Sequence, residues 1–169
     1  MVDLGSHIRR GHPAAFGLLA FISLIVGIIS AVITADYENN DTGANGNYTG
    51  LVTRVHFAVF YGWWTFVFSI IYLALFLTGV GGVVTSIAGH GIWLLLTWIF
   101  WLAGAGALAD TLGTSCGTSR YYYCNSLQAL HAFSWIGWIL LTLMLVVVAA
   151  IGGGAFRGGR GLKDGLSEA

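Results

Sequence analysis

The chain has 169 residues, of which 57% are hydrophobic and 8% are charged, and its formal net charge is zero. Ordinary soluble domains carry roughly 25% charged residues, so this composition excludes a water-soluble globular domain and a disordered chain. Seven Lys and Arg residues, balanced by seven Asp and Glu residues, leave no basic surface for nucleic acid. The solvent that this composition predicts is lipid.

Four apolar stretches account for the composition, and each is predicted to be a membrane-spanning helix. They cover residues 14–35, 56–77, 87–109 and 127–156. Each is at least as long as the ~20 residues that a helix needs to cross hydrocarbon, and none shows the alternation of a β-barrel strand. The predicted fold class is an all-α membrane protein, a four-transmembrane-helix bundle whose membrane domain is 14–156. The glycines at 152–154 are predicted to end the fourth helix.

The basic residues predict the orientation of the bundle. Five of the seven lie in the segments 1–13 and 157–169: Arg9, Arg10, Arg157, Arg160 and Lys163. The positive-inside rule therefore predicts that both of these segments are cytoplasmic. The first apolar run is longer than the core of a signal peptide, so we expect it to be retained as a span. A glycine-rich turn at 78–86 is predicted to join spans two and three on the cytoplasmic side.

The first outward loop, residues 36–53, contains two N-glycosylation sequons. They begin at Asn40 and Asn47, and each has threonine two positions later. On the predicted outward side both would be accessible to the glycosylation machinery of a eukaryotic cell. The alternative interpretation is that asparagine and threonine are simply common in turns.

The second outward loop, residues 110–126, contains the two cysteines of the chain, Cys116 and Cys124. An even pair in a short loop on the oxidising side of a membrane predicts a structural disulfide. Closing so short a loop would contribute about 2–3 kcal/mol. A redox pair usually has Cys-x-x-Cys spacing, and a metal site needs more ligands than this loop offers.

Ionisable residues near the predicted outer ends of the spans form a candidate rim cluster of Arg54, His56, Asp110 and His131. Asp110 ends the third span, where the helix dipole disfavours an anion, so we expect a cationic partner from this set or from Arg120. One interpretation is a proton- or metal-sensitive cluster. The other, which we favour, is an ion pair that joins spans two, three and four. His90 is predicted to lie at the cytoplasmic interface.

Small residues form two ridges on the predicted helices. Span one has Ser23, Gly27 and Ala31 at every fourth position, and span three has a patch that includes Ala103, Gly104 and Ala107. Such ridges allow close approach of helix backbones in lipid. They serve either packing inside the bundle or contact with another copy or a sterol. Tryptophans deep in spans two and three are expected to donate their indole N–H groups to neighbouring helices.

No residue pattern predicts catalysis. The spans carry no deep acidic residue, and the chain has no phosphate-binding glycine loop and no Gly-x-Ser-x-Gly nucleophile motif. We predict no catalytic, cofactor-binding or metal-binding residues, and a sterol or another lipid is the kind of ligand that the lateral surfaces would take. The expected partners are membrane lipids and further copies of the chain.

The arrangement resembles fungal MARVEL-domain tetraspan proteins over nearly the whole chain. The resemblance rests on the short basic N-terminal segment, the run from Trp93 to Asp110, the cysteine pair, and the run from Ala132 to Trp138. It implies a four-helix membrane module with cytoplasmic termini that acts in membrane apposition, vesicle trafficking or the organisation of sterol- or sphingolipid-rich domains. Claudin-like tetraspans carry Trp and Cys in the first outward loop, where this chain has neither.

Two hypotheses of function follow. The first is a non-enzymatic multi-pass protein of the plasma membrane or of secretory or endosomal vesicles, which organises or shapes membrane by lateral self-association. The alternative is an oligomeric channel or transporter with a pore between copies. A pore of that kind requires polar residues on an outward helical face.

Overall fold

The computed structural model of the protein describes the backbone of residues 4–39, 49–78, 87–113 and 123–157. These residues form four α-helices: α1 (Leu4–Asn39), α2 (Thr49–Thr78), α3 (Ile87–Leu112) and α4 (Cys124–Arg157). No β-strand occurs in this part of the chain. The predicted all-α, four-helix fold class is confirmed.

Each helix contains a stretch that is long and apolar enough to cross a membrane. The stretches are Pro13–Asn39, Thr49–Thr78, Gly89–Leu112 and Cys124–Ala150. At 1.5 Å per residue, even the shortest of them, with 24 residues, is longer than the ~30 Å thickness of the hydrocarbon core. The protein is therefore an integral, multi-pass membrane protein, and tilt can accommodate the excess length.

The first and last helices extend beyond the predicted spans. α1 begins at Leu4, ahead of Pro13, and α4 continues through glycines 152–154 to Arg157. The prediction that these glycines end the fourth helix is wrong. Glycine costs a helix interior only about 1 kcal/mol relative to alanine, and backbone groups near lipid have no better partners than those inside a helix.

The helices form a bundle in which each packs against its neighbours in chain order, and α1 also packs against α4. Consecutive helices are antiparallel. Glu38 near the end of α1 contacts His56 near the start of α2, and Arg54 of α2 contacts Asp110 near the end of α3. We call the end of the bundle that holds these four residues the Asp110 end.

The opposite end, which we call the His90 end, is filled by aromatic rings. Phe16, Tyr72, His90 and Trp93 pack together there, and the centroid of the His90 ring lies 4.7 Å from that of Tyr72 and 5.0 Å from that of Phe16. His90 is buried among these rings and lies next to Gly89, the first residue of the third membrane-spanning stretch, so its place at the cytoplasmic interface stays a prediction. Rings from α1, α2 and α3 meet at this level and enclose the imidazole.

Candidate functional site

One ion pair and one histidine–carboxylate contact join three helices at the Asp110 end. Arg54 donates from Nη2 to Oδ2 of Asp110 over 3.0 Å, which connects α2 to α3. Nε2 of His56 lies 3.3 Å from Oε1 of Glu38, which connects α2 to α1. The side chain of Asp110 is 75% exposed and that of Arg54 is 33% exposed. Water therefore screens this pair, and its contribution to stability is small.

The four residues of the predicted rim cluster do not meet as one group. Arg54 and Asp110 contact each other, whereas His56 contacts Glu38, which lies outside the predicted cluster. His131 accepts a hydrogen bond from the indole N–H of Trp135 on its own helix, over 2.7 Å. Among the described residues, no three His, Cys, Asp or Glu side chains are grouped so that they could hold a metal ion. Arg120 lies outside the described residues.

Asp110→Asn is expected to lower the free energy of unfolding by less than about 1 kcal/mol, because exposed ion pairs contribute roughly 0–1 kcal/mol. Asp110 lies in the last turns of α3, where removing a negative charge also relieves an unfavourable interaction with the helix dipole. Thermal unfolding in detergent at low and high salt measures the effect. Arg54→Gln is the matched control and should give a similar, salt-sensitive change. A loss of several kcal/mol for either variant would contradict this assignment.

The small-residue ridge of α1 faces α2 inside the bundle. Ser23 is fully buried and Gly27 is buried, whereas Ala31 is partly exposed. A Cβ placed on Gly62 of α2 would lie 2.8 Å from the backbone nitrogen of Gly27 and 3.3 Å from the carbonyl oxygen of Ser23. The two backbones are in direct contact here, so Ser23 and Gly27 are engaged within one copy of the protein.

The small residues of α3 are divided between the interior and the lipid-facing surface. Gly104 faces inward, where a Cβ would overlap the ring of Tyr61. Ala103 is exposed and Ala107 is partly exposed. An added Cβ at Gly106 would have no atom within 4 Å. We call Ala103 and Gly106, which lie one turn apart on the outer side of α3, the small outward face.

Hydroxyl groups in the interior connect the helices. The phenolic oxygen of Tyr61 lies 2.7 Å from Oγ of Ser134, and Ser134 donates to the carbonyl of Leu130 over 2.7 Å. Because serine has a single hydroxyl proton, Tyr61 is the donor in the first of these bonds. Tyr61 and Ser134 are fully buried, and their contact joins α2 to α4.

The same arrangement recurs between other pairs of helices. Trp101 donates from Nε1 to Oγ1 of Thr65 over 2.8 Å, and Thr65 donates to the carbonyl of Tyr61 over 2.7 Å. Trp98 donates to Oγ1 of Thr142 over 2.8 Å, and Thr142 donates to a carbonyl of its own helix. We call the contacts Tyr61–Ser134, Trp101–Thr65 and Trp98–Thr142 the hydroxyl bridges. In hydrocarbon, where water is absent, they satisfy polar groups that would otherwise be costly.

The sequence predicts indole donors but does not identify their acceptors. A usable signal was present, because Thr65 lies on the helical line of buried α2 residues that also holds Ala58, Tyr61, Ser69 and Tyr72. A hydroxyl on the core-facing line of a membrane helix favours a partner on a nearby helix, and these helices are rich in tryptophan and tyrosine. The signal is imperfect, because the Ser69 hydroxyl on the same line is buried without a hydrogen-bond partner.

Three of the predicted site residues, Cys116, Asn40 and Asn47, lie outside the described residues. Cys124 is the first residue of α4. The Cys116–Cys124 disulfide and the two glycosylation sites therefore stay predictions.

Comparison with known protein families gives one match that covers most of the chain. The membrane-associating domain named MARVEL matches residues 14–147, which include large parts of all four helices. No curated protein and no solved structure matches the chain. MARVEL is a four-span, membrane-associating structural domain and not a known enzyme family. The chain therefore belongs to the MARVEL family of membrane-associating domains.

Proposed function

We propose that this protein organises or shapes the membrane that contains it by lateral association of its copies, without catalysing a reaction. Its sites of action would be lipid domains, vesicle trafficking or membrane apposition, at the plasma membrane or on secretory or endosomal vesicles, as in the fungal tetraspans that it resembles. Membership of a membrane-associating family supports the general role. We propose that the lipid-facing side of the bundle performs this role.

The small outward face of α3 is the observation that carries this proposal. Ala103 is exposed, and Gly106 has free space where a side chain would project. One turn further toward the His90 end, the outer side of α3 changes to large residues such as Ile99, which is 46% exposed. A helix from a second copy can therefore approach the α3 backbone closely at this level. Helix–helix interfaces in lipid are enriched in such small residues.

The α1 ridge is a poorer candidate for contact between copies. Ser23 and Gly27 already pack against Gly62 of the same chain. Gly104 packs against Tyr61 and is likewise engaged. Of the two ridges identified in the sequence, the outward part of the α3 ridge is the one whose surface is open to a neighbouring copy or to a sterol.

The outward surface argues against a pore between copies. In the middle of each helix, every exposed residue is hydrophobic. The stretches concerned are 14–35 of α1, 57–77 of α2, 92–109 of α3 and 129–150 of α4. Exposed polar side chains of the described residues lie near the helix ends, at His56, Asp110 and Gln128 for example. A water-filled path needs polar groups through the middle of the bilayer.

Replacing both residues of the small outward face by leucine tests the proposal. The double variant Ala103→Leu, Gly106→Leu should fold normally, because Ala103 is exposed and a side chain at Gly106 has free space. The added side chains should hold a second helix away, so dimers or larger species captured by cross-linking in phospholipid vesicles should fall at least several-fold. Vesicles with and without sterol distinguish a sterol on this face from a second copy.

The matched control is Ala35→Leu, an exposed alanine at the Asp110 end of α1. It makes the same Ala→Leu change on another helix, away from the small outward face, so its cross-linking should equal that of the wild type. Wild-type protein that stays monomeric in vesicles of either composition would contradict the proposal. So would an unchanged cross-linking pattern in the double leucine variant.

A further inference from the structure

We infer that His131 and Trp135 form a proton-sensitive contact on α4, in which the neutral imidazole holds the indole and protonation releases it. The indole N–H of Trp135 donates to Nε2 of His131 over 2.7 Å. This contact lies in the half of α4 nearer the Asp110 end. The inference does not depend on self-association, because both residues belong to one helix of one copy.

The chemistry of the two side chains fixes the protonation state. Indole nitrogen is a donor and never an acceptor, so Nε2 of His131 must present its lone pair and the ring proton must be on Nδ1. An imidazolium carries protons on both nitrogens and has no acceptor. The contact between His131 and Trp135 therefore exists for the neutral ring alone, and charging the ring removes it.

Two carboxylates near this end of the bundle have partners other than His131. α4 packs on α1 and α3 and also contacts α2 through Tyr61 and Ser134. The described titratable residues on or beside these helices toward the Asp110 end are Asp36, Tyr37, Glu38, Arg54, His56, Tyr61, Asp110 and Tyr123. Glu38 is paired with His56 and Asp110 with Arg54. Within the described part of the chain, the hydrogen bond and the ring contact of His131 are both with Trp135. Protonation of His131 thus removes the acceptor of the indole bond.

Trp135 connects this contact to the seam between α3 and α4. Its ring lies edge-on to that of Trp138 with centroids 5.4 Å apart. Trp138 in turn packs against Trp98 at 5.7 Å, and Trp98 forms the hydroxyl bridge to Thr142. Trp135 contacts Trp138, and Trp138 contacts Trp98. A new position of the Trp135 ring therefore changes the packing of α3 on α4. Acidification would thereby alter the lateral surface of the bundle.

Tryptophan fluorescence of the protein in lipid nanodiscs, titrated from pH 8 to pH 5, tests the inference, because histidine changes charge in this range. Wild-type protein should show a reversible change in intensity or emission maximum. His131→Gln should lose that change, since the glutamine oxygen can accept from Trp135 and stays neutral. Trp135→Phe should also lose it, because the reporting indole is gone. Circular dichroism and thermal unfolding at pH 8 verify that the variants are folded.

His56→Gln is the matched control, since it removes an exposed histidine from the Asp110 end and leaves His131 in place. Its pH-dependent fluorescence should equal that of the wild type. The inference is overturned if the wild type shows no transition, or if the full transition persists in His131→Gln. Persistence of the full transition in Trp135→Phe would overturn it as well. If one of these two variants fails to fold, the other decides the result.

Discussion

Gly137→Ala is expected to destabilise the protein by about 1–3 kcal/mol, the usual cost of overpacking a filled core. A Cβ at this position of α4 would overlap the six-membered ring of Trp101. Trp101 is fully buried, its indole N–H is bonded to Thr65 over 2.8 Å, and its ring packs against Tyr61 at 5.0 Å. The added methyl group must therefore separate α4 from α3 or break a hydroxyl bridge.

Unfolding by increasing amounts of denaturing detergent, followed by circular dichroism, measures this loss. Gly17→Ala is the control, because an added Cβ at Gly17 of α1 meets no atom within 4 Å. Alanine is the better helix former by about 1 kcal/mol or less, so this variant should be neutral or slightly more stable. Equal stability of the two alanine variants would show that Gly137 is not required for the contact with Trp101.

Most of the fold could be predicted because lipid imposes a simple condition on the sequence. Backbone groups in hydrocarbon must be bonded within the same segment, so four long apolar runs give four helices. The ends of the helices were less predictable. Glycines at 152–154 would commonly end a helix in water, but α4 continues to Arg157. The position of His90 near the end of a span predicted an interfacial depth, but only the fold shows that rings from α1 and α2 bury it.

The contacts of the candidate site could be predicted only in part. The need of Asp110 for a cation follows from its place at the end of a helix, but the choice of Arg54 over His56 or His131 depends on how the helices are rotated about their axes. That rotation is set by the packing of side chains such as Tyr61 against Gly104, which a single sequence does not reveal. The sequence likewise identified the α1 ridge as a surface for close approach, and only the fold assigns its partner as Gly62.

Removal of the Ser134 hydroxyl is expected to cost more than removal of its partner hydroxyl on Tyr61. Bonds between membrane helices contribute about 0.6 kcal/mol on average and up to about 1.7 kcal/mol, which is the expected loss for Tyr61→Phe. Ser134→Ala instead leaves the phenolic O–H of Tyr61 buried without an acceptor, at a cost of about 1–3 kcal/mol. In the double variant the stranded donor is absent, so the double variant should be more stable than Ser134→Ala alone.

A double-mutant cycle on Tyr61 and Ser134 measures this coupling through the free energies of unfolding in detergent. We expect a coupling energy clearly above the ~0.3–0.5 kcal/mol within which independent sites add. Tyr61→Phe combined with Thr142→Val is the control cycle, because Thr142 belongs to another hydroxyl bridge about two helical turns from Ser134 along α4. That second cycle should be additive. Additive losses for Tyr61 and Ser134, or a double variant less stable than Ser134→Ala, would mean that the buried hydroxyl bridge between α2 and α4 does not contribute as proposed.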